Sequence, residues 1–398
     1  AMKQTVNLLR RRRCCITMDH EVICFMKDPR LEQLANLLLT QSLKLQPGEI
    51  FAINSGAAAN PLNKALLRAA KAKGLYPVML LSDDELSRLF YDCIDPEHPE
   101  AMQSSIEKQV AWELNMWESI AAHVDVGIDE NDAELSAVNA RAMSYFRSFR
   151  KRLREVMIDE RRWVYLHWPT MADAQKAGMC YDDFYDFFLS AALVDYEKMG
   201  RDMEPLVELM EKTDLVEIKG PGTDIRFSIK DIPVCPCSGE CNIPDGEVYT
   251  APVRESANGV VQYNTAAMRY GKKFNNPRLT FKNGKIVEAT CDGDVAGFNE
   301  MLDADEGARY LGEFALGVNN AVNRAIGNTL YDEKIGGSFH LTPGCCYQTA
   351  PNGNTSQLHL DIVCIQTKQY GGGEIWFDGK LVRKDGLFLP EALKGLNP

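Results

Sequence analysis

The sequence predicts an α/β amino-terminal domain with a mostly parallel sheet, followed by a β-rich α+β domain. Helical and extended patterns alternate through the first half, and short strands with hairpin turns crowd the second. The 398 residues, 45% hydrophobic and 9% aromatic, suffice for two or three cores.

Residues 31–45 carry apolar side chains at helical spacing, and 50–53 is a short apolar run. Asn60-Pro61 offers an N-cap and a proline at the first helical position before the helical stretch 66–73. A buried strand is expected over 76–81, ending at Ser82, with Glu85 three residues later as a capping box. One long helical region is expected over 133–160, then a strand over 163–167, an N-cap at Thr170 and a C-cap at Gly178.

Strands follow over 215–219, 224–229, 260–264 and 278–290, with hairpin turns at Asn283-Gly284 and Asp378-Gly379. The pattern shifts at 200–215, so residues 26–210 are assigned to the α/β domain and 211–398 to the second. Residues 1–25 are read as an extension, because Met26-Lys27-Asp28-Pro29-Arg30 leads directly into an amphipathic helix.

Composition excludes several classes. No run approaches the roughly 18 apolar residues of a membrane span, and Leu8-Leu9 runs into Arg10 to Arg13 and then cysteines, where a signal peptide needs an apolar stretch. Twelve cysteines, including Cys14-Cys15 and Cys345-Cys346, do not form the framework of a small secreted domain; a reducing cytoplasm is expected. A net charge of −12 argues against nucleic acid or an anionic membrane as partner, and the Arg10 to Arg13 run is read as a solvated segment.

The most telling stretch is Gln357-Leu358-His359-Leu360-Asp361-Ile362-Val363, whose alternation reads as a strand. That spacing places His359 and Asp361 on one face and the apolar residues on the other. Burying an imidazole and a carboxylate costs several kcal/mol unless a partner satisfies them, and a divalent cation is the most economical partner. His340 follows a glycine pair, and Glu247 and Glu313 lie in similarly apolar, glycine-rich settings. Taken singly, such residues more often serve structure. Together they supply mixed nitrogen and oxygen donors, suited to Zn²⁺, Mn²⁺ or Co²⁺. The spacings match no short zinc motif, and HExxH is missing.

The run from Asn242 to Pro252, then Leu311-Gly312-Glu313 with Ala315-Leu316-Gly317, then His340 with Gly344 and Tyr347, then Ser356 with His359 and Asp361, resembles the aminopeptidase T family of dimetal aminopeptidases. Gln46-Pro47-Gly48-Glu49 and Asp182-Asp183-Phe184-Tyr185-Asp186-Phe187-Phe188 extend the resemblance to about residues 28–398. It implies a two-domain, homodimeric enzyme that removes N-terminal residues from peptides using two divalent metal ions, zinc foremost, with cobalt, manganese or magnesium as alternatives. Carried over by position, Glu247, Glu313, His340, His359 and Asp361 are metal ligands and Tyr347 is the catalytic tyrosine.

The chain departs from the family pattern in Cys235, Cys237 and Cys241, just before Glu247, and in Cys345 and Cys346. These are either an extra thiolate metal site or oxidation switch, or simply reduced thiols. The 303–307 acidic run misplaces the glycine of a calcium loop, Gly220-Pro221-Gly222 lacks the third glycine of a dinucleotide fingerprint, and no Walker lysine occurs. Two rival readings remain at this level: an idle metal-binding or redox protein on the same scaffold, and a different metal-assisted amide hydrolase.

Overall fold

A computed structural model describes residues 28–269 and 272–398. The Arg10 to Arg13 run, Cys14-Cys15 and the extension over 1–25 lie outside the described residues. Three sheets organise the chain. The first is wholly parallel, in the order Tyr76–Leu81, Ile50–Ser55, Ala122–Gly127, Arg162–His167, Asn242–Ile243. Its last strand comes from the second half of the sequence. Its core likewise takes in Val322, Tyr331, Ile335, Val363 and Ile365 beside Phe51, Val124, Val164 and Phe188, so the two halves share packed apolar surface.

The second sheet has nine strands and is antiparallel, running from Ala267–Arg269 through Lys272–Lys282, Asn258–Gln262, Thr223–Ser228, Leu215–Gly220, Glu374–Phe377 and Lys380–Lys384 to Leu387–Phe388. Lys285–Asp292 pairs with Lys272–Lys282. Both expected hairpin turns form, with Asn283 at φ 49° and Gly284 at 79°, and Asp378 at 47° and Gly379 at 75°. The third sheet, in the order Ile362–Ile365, Ser338–Pro343, Leu311–Gly317, Glu247–Thr250, Cys235–Cys237, carries the candidate site.

Local departures from the sequence reading have identifiable causes. The helix expected over 133–160 is broken into Glu134–Ala137, Ala140–Ser148 and Lys151–Asp159. Asn139 is the reason for one break: its side chain accepts hydrogen bonds from the Arg141 and Ala142 amides and starts a new helix. Asp83, not Ser82, caps Asp84–Asp92, accepting from Leu86 N at 2.9 Å, while the Ser82 hydroxyl donates to Ser55 O. Asn60 is the first residue of Asn60–Lys73 and Ala59 occupies the cap. The N-cap expected at Thr170 forms, and Asp173 closes it into a capping box. The strand read over 357–363 is shorter: only Ile362–Ile365 pairs regularly, and residues 358–361 run extended ahead of it with a single bridge, Gly344 to His359.

Candidate metal centre

Register alone gathers the candidate ligands. Glu247 pairs with Gly317 and Ala315 with His340. Because residues two apart share a face and directly paired residues point the same way, Glu313, Ala315, Gly317, Glu247 and His340 all lie on one side of the third sheet. His340 pairs with Val363, and stepping back by two and four residues brings Asp361 and His359 to that side. The opposite side, with Val248, Phe314, Leu316, Phe339, Leu341 and Ile362, packs into the second core.

The five side chains meet. Nε2 of His359 is 3.2 Å from Glu313 Oε2 and 3.3 Å from Asp361 Oδ1. Nε2 of His340 is 3.4 Å from Glu313 Oε1 and 3.5 Å from Glu247 Oε2. Donor atoms of Glu247, Glu313 and His340 lie within 4.8 Å of one another, as do those of Glu313, His359 and Asp361, so Glu313 belongs to both groups.

The surroundings orient each ligand. His359 Nδ1 donates to the Cys345 carbonyl at 2.9 Å, which turns Nε2 towards the carboxylates, a common outer support of metal-binding histidines. This contact requires Gly344: it sits at φ +115°, and a Cβ there would stand 2.0 Å from Leu358 O. Thr342 Oγ1 donates to Asp361 Oδ1 at 2.7 Å. Asp305 accepts from Ser356 Oγ and Gln357 N, pinning the chain just ahead of His359.

The residues fit a metal centre on their own terms. Glu247 Oε2, His340 Nδ1 and His359 Nε2 are buried without a hydrogen-bond partner, a costly arrangement that a cation relieves at Glu247 Oε2 and His359 Nε2. The electrostatics point the same way. Burial pushes the His359 imidazole down, but the Asp361 carboxylate outweighs it and holds His359 well above its usual range. His340 is raised to about 9, with Glu313 and Glu247 overriding burial. Burial raises Asp361, yet His359 holds it below the usual carboxylate range. The cluster thus attracts positive charge strongly, as protons or as a metal ion.

Tyr347 flanks this group. Its ring centroid is 4.8 Å from that of His359 and 5.4 Å from that of Tyr249, with 47% of its surface exposed. Burial of the hydroxyl and the nearby Glu313 carboxylate push its ionisation well up, so it remains a hydrogen-bond donor.

Three further residues were not singled out in the sequence. Glu333 brings a donor atom within 4.8 Å of those of His340 and Asp361. Lys334 is fully buried against Glu247 Oε1 at 2.5 Å, Glu333 Oε1 at 3.0 Å and Asp245 Oδ1 at 3.4 Å. Asp245 is itself held by the Gly239 and Gly246 amides. A lysine between Tyr331 and Ile335, just ahead of the Gly336-Gly337 pair, was the available signal.

The cysteines divide. Cys237 pairs with Glu247, and its sulfur lies within 4.8 Å of Asp245 and Glu247 donor atoms; burial and those carboxylates push its thiol well up. Cys345 Sγ is 3.9 Å from His359 Nδ1. All nine described cysteines are free thiols. A separate cavity of about 560 Å³ is lined by Asp83, Asp84, Asp125, Asp129 and other residues between 54 and 165, and it shares no residue with the centre. Among the described residues, no helix is long and apolar enough to cross a membrane.

The chain is 25% identical over 408 residues to Aminopeptidase 2 of Geobacillus stearothermophilus, covering 90% of this chain and 95% of that one. It is 30% identical over 205 residues to Aminopeptidase T of Thermus thermophilus, covering 45% and 48%. The solved structure of wild-type AmpT from Thermus thermophilus superposes with a TM-score of 0.77 at 21% identity, covering 91% of this chain and 99% of that one, and shares the fold. The model of the thermophilic metalloprotease (M29) family matches residues 27–380, and the chain therefore belongs to that family of metal-dependent peptidases.

Proposed function

We propose that the protein is an aminopeptidase that releases N-terminal residues from peptides at a pair of divalent ions held by Glu247, Glu313, His340, His359 and Asp361. One observation carries the reading above all: the two oxygens of Glu313 face two different imidazoles, Oε1 towards His340 and Oε2 towards His359, so this carboxylate can serve both ions. The aminopeptidase names of the relatives support the substrate class. Zinc is the ion proposed first, and cobalt, manganese and magnesium suit the same nitrogen and oxygen donors less specifically. The reading includes a homodimer in the cytoplasm and a division into a 26–210 unit and a 211–398 unit that bears the ions.

When bound, such ions supply a water acidified from 15.7 to about 7 and a polarised scissile carbonyl. The chain's own residues do the rest. Glu313 and the two histidines fix positions through their tethered side chains. Tyr347, kept protonated, donates its hydroxyl to the oxygen on which charge develops, a contribution of roughly 3 to 4 kcal/mol when one such donor is lost. The thiols of Cys235, Cys237, Cys241, Cys345 and Cys346 stay reduced and take no part.

Aminoacyl anilides test the reading. Leucyl and other free-amine anilides are expected to be cleaved, and their N-acetyl counterparts to be left intact. Cleavage of both alike would point to another amide hydrolase, and cleavage of neither to an idle scaffold.

A further inference from the structure

Lys334 is a cation sealed inside the protein, with a relative exposure of 0%, and it rests against three carboxylates. Its bonds to them are unequal in consequence. Asp245 already accepts two backbone amides, from Gly239 at 2.7 Å and Gly246 at 2.9 Å, and so anchors the ammonium to the scaffold. Lys334 also hangs on the backbone: its carbonyl accepts from Asn319 N and its amide donates to Tyr331 O, both at 3.0 Å. The ammonium is therefore a fixed point, not a flexible surface charge.

From that fixed point it donates to Oε1 of Glu247 at 2.5 Å. Oε2 of the same carboxylate is buried, has no hydrogen-bond partner, and faces His340 Nε2 at 3.5 Å. The two oxygens of Glu247 are thus in different circumstances: one is engaged from behind, the other is open towards the candidate centre. A carboxylate with both oxygens free can grip an ion with both. Catalytic ions keep a coordination position open for water or substrate, whereas structural ones are fully enclosed by protein.

We propose that Lys334 is a positioning residue that confines Glu247 to a single oxygen towards the metal, and thereby keeps a coordination position free for the reaction. The inference rests on the assignment of Glu247 as a ligand in the proposed function. It goes beyond that assignment in naming what limits the ligand. The anchoring by Asp245 means that charge alone is not the point: the direction from which the ammonium approaches selects which oxygen is withheld.

The test uses wild-type protein, Glu247→Gln, Lys334→Met and Lys334→Arg, each loaded with Co²⁺. Bound cobalt is measured by elemental analysis and coordination by visible absorption, which is weak for six-coordinate Co²⁺ and stronger for four- or five-coordinate ions. The expected result is that Lys334→Met keeps its cobalt, at the same or higher affinity, with weakened visible absorption and kcat lowered about tenfold or more, in the range typical of outer-shell partners. KM changes little, and Lys334→Arg recovers part of both the absorption and kcat. Unaltered absorption and kcat in Lys334→Met, or loss of cobalt together with activity, would overturn the proposal. Because removing one buried cation from three carboxylates can unfold the protein, Lys334→Met/Asp245→Asn, which removes one charge of each sign, is measured in parallel with the same expected spectrum. If Glu247→Gln leaves cobalt content and spectrum as in wild type, the ligand assignment itself fails, and that outcome is distinct from failure of the Lys334 proposal alone.

Discussion

Glu313 Oε2 stands 3.2 Å from His359 Nε2, although Glu313 lies on the Leu311–Gly317 strand and His359 on the segment leading into Ile362–Ile365, with the Ser338–Pro343 strand between those two strands. The other oxygen of Glu313 faces His340 at 3.4 Å. Removing the charge of Glu313 therefore affects both halves of the centre at once. Glu313→Gln is expected to lose both ions and to lower kcat/KM by more than the roughly 10- to 100-fold of an outer-shell change. Metal analysis after gel filtration, beside an anilide assay, checks this; retention of both ions would remove Glu313 from its shared role.

The role proposed for Tyr347 is in turnover and not in holding metal. Its ring packs on His359 and Tyr249. Tyr347→Phe is expected to bind the full complement of metal and to lose about 10²- to 10³-fold in kcat, the cost of one oxyanion donor. An unchanged kcat would reject the assignment.

The His359 and Asp361 pair was legible because its polar groups alternate with Leu358, Leu360 and Ile362; His340, Glu247 and Glu313 gave weaker local signals, and Tyr347 came from the family resemblance alone. The convergence of these residues was not legible, because it depends on cross-strand register between segments more than 60 residues apart, such as Glu247 against Gly317. Family resemblance supplied what spacing could not. Lys334 and Glu333 escaped because a lysine and a glutamate next to each other look like ordinary surface charge until the chain buries them. In the amino-terminal half, the strands at 50–55, 76–81 and 162–167 followed from apolar runs, but Ala122–Gly127, where His123 and Asp125 interrupt the apolar pattern, was not read, and the 133–160 break hinged on one cap, Asn139, whose effect a periodicity reading passes over.

Asp173 gives the first half a measurable acid sensitivity. It is 3% exposed; burial raises its carboxyl, but His167, Lys176 and Thr170 outweigh burial and hold it at about 2, below the ordinary 3.8. A carboxylate depressed in the folded state stabilises it above the unfolded value, and that stability disappears as pH falls from about 4 through about 2. The difference amounts to about 2 kcal/mol at neutral pH. Asp173→Asn is expected to lower the urea midpoint at pH 6, with the gap from wild type narrowing from about pH 4 and smallest at about pH 2; a gap as wide at pH 2 as at pH 6 would contradict the linkage.

Burial and the Asp245 and Glu247 carboxylates keep Cys237 in its thiol form, which is a poor nucleophile. Mild oxidant is accordingly expected to leave activity unchanged, and alkylation mapped by mass spectrometry should reach the exposed Cys93 and Cys180 well before Cys237. Rapid inactivation that a reductant reverses would instead establish a redox switch.

The central claim is that two ions held by Glu247, Glu313, His340, His359 and Asp361 carry out peptide hydrolysis. Titrating chelator-stripped protein with Zn²⁺ or Co²⁺, while following release of leucine from an anilide, tests it most directly. The stripped protein is expected to be inactive, with release rising as metal is added and levelling off at two ions bound per chain. Full activity without metal, or two bound ions with no release, would contradict it.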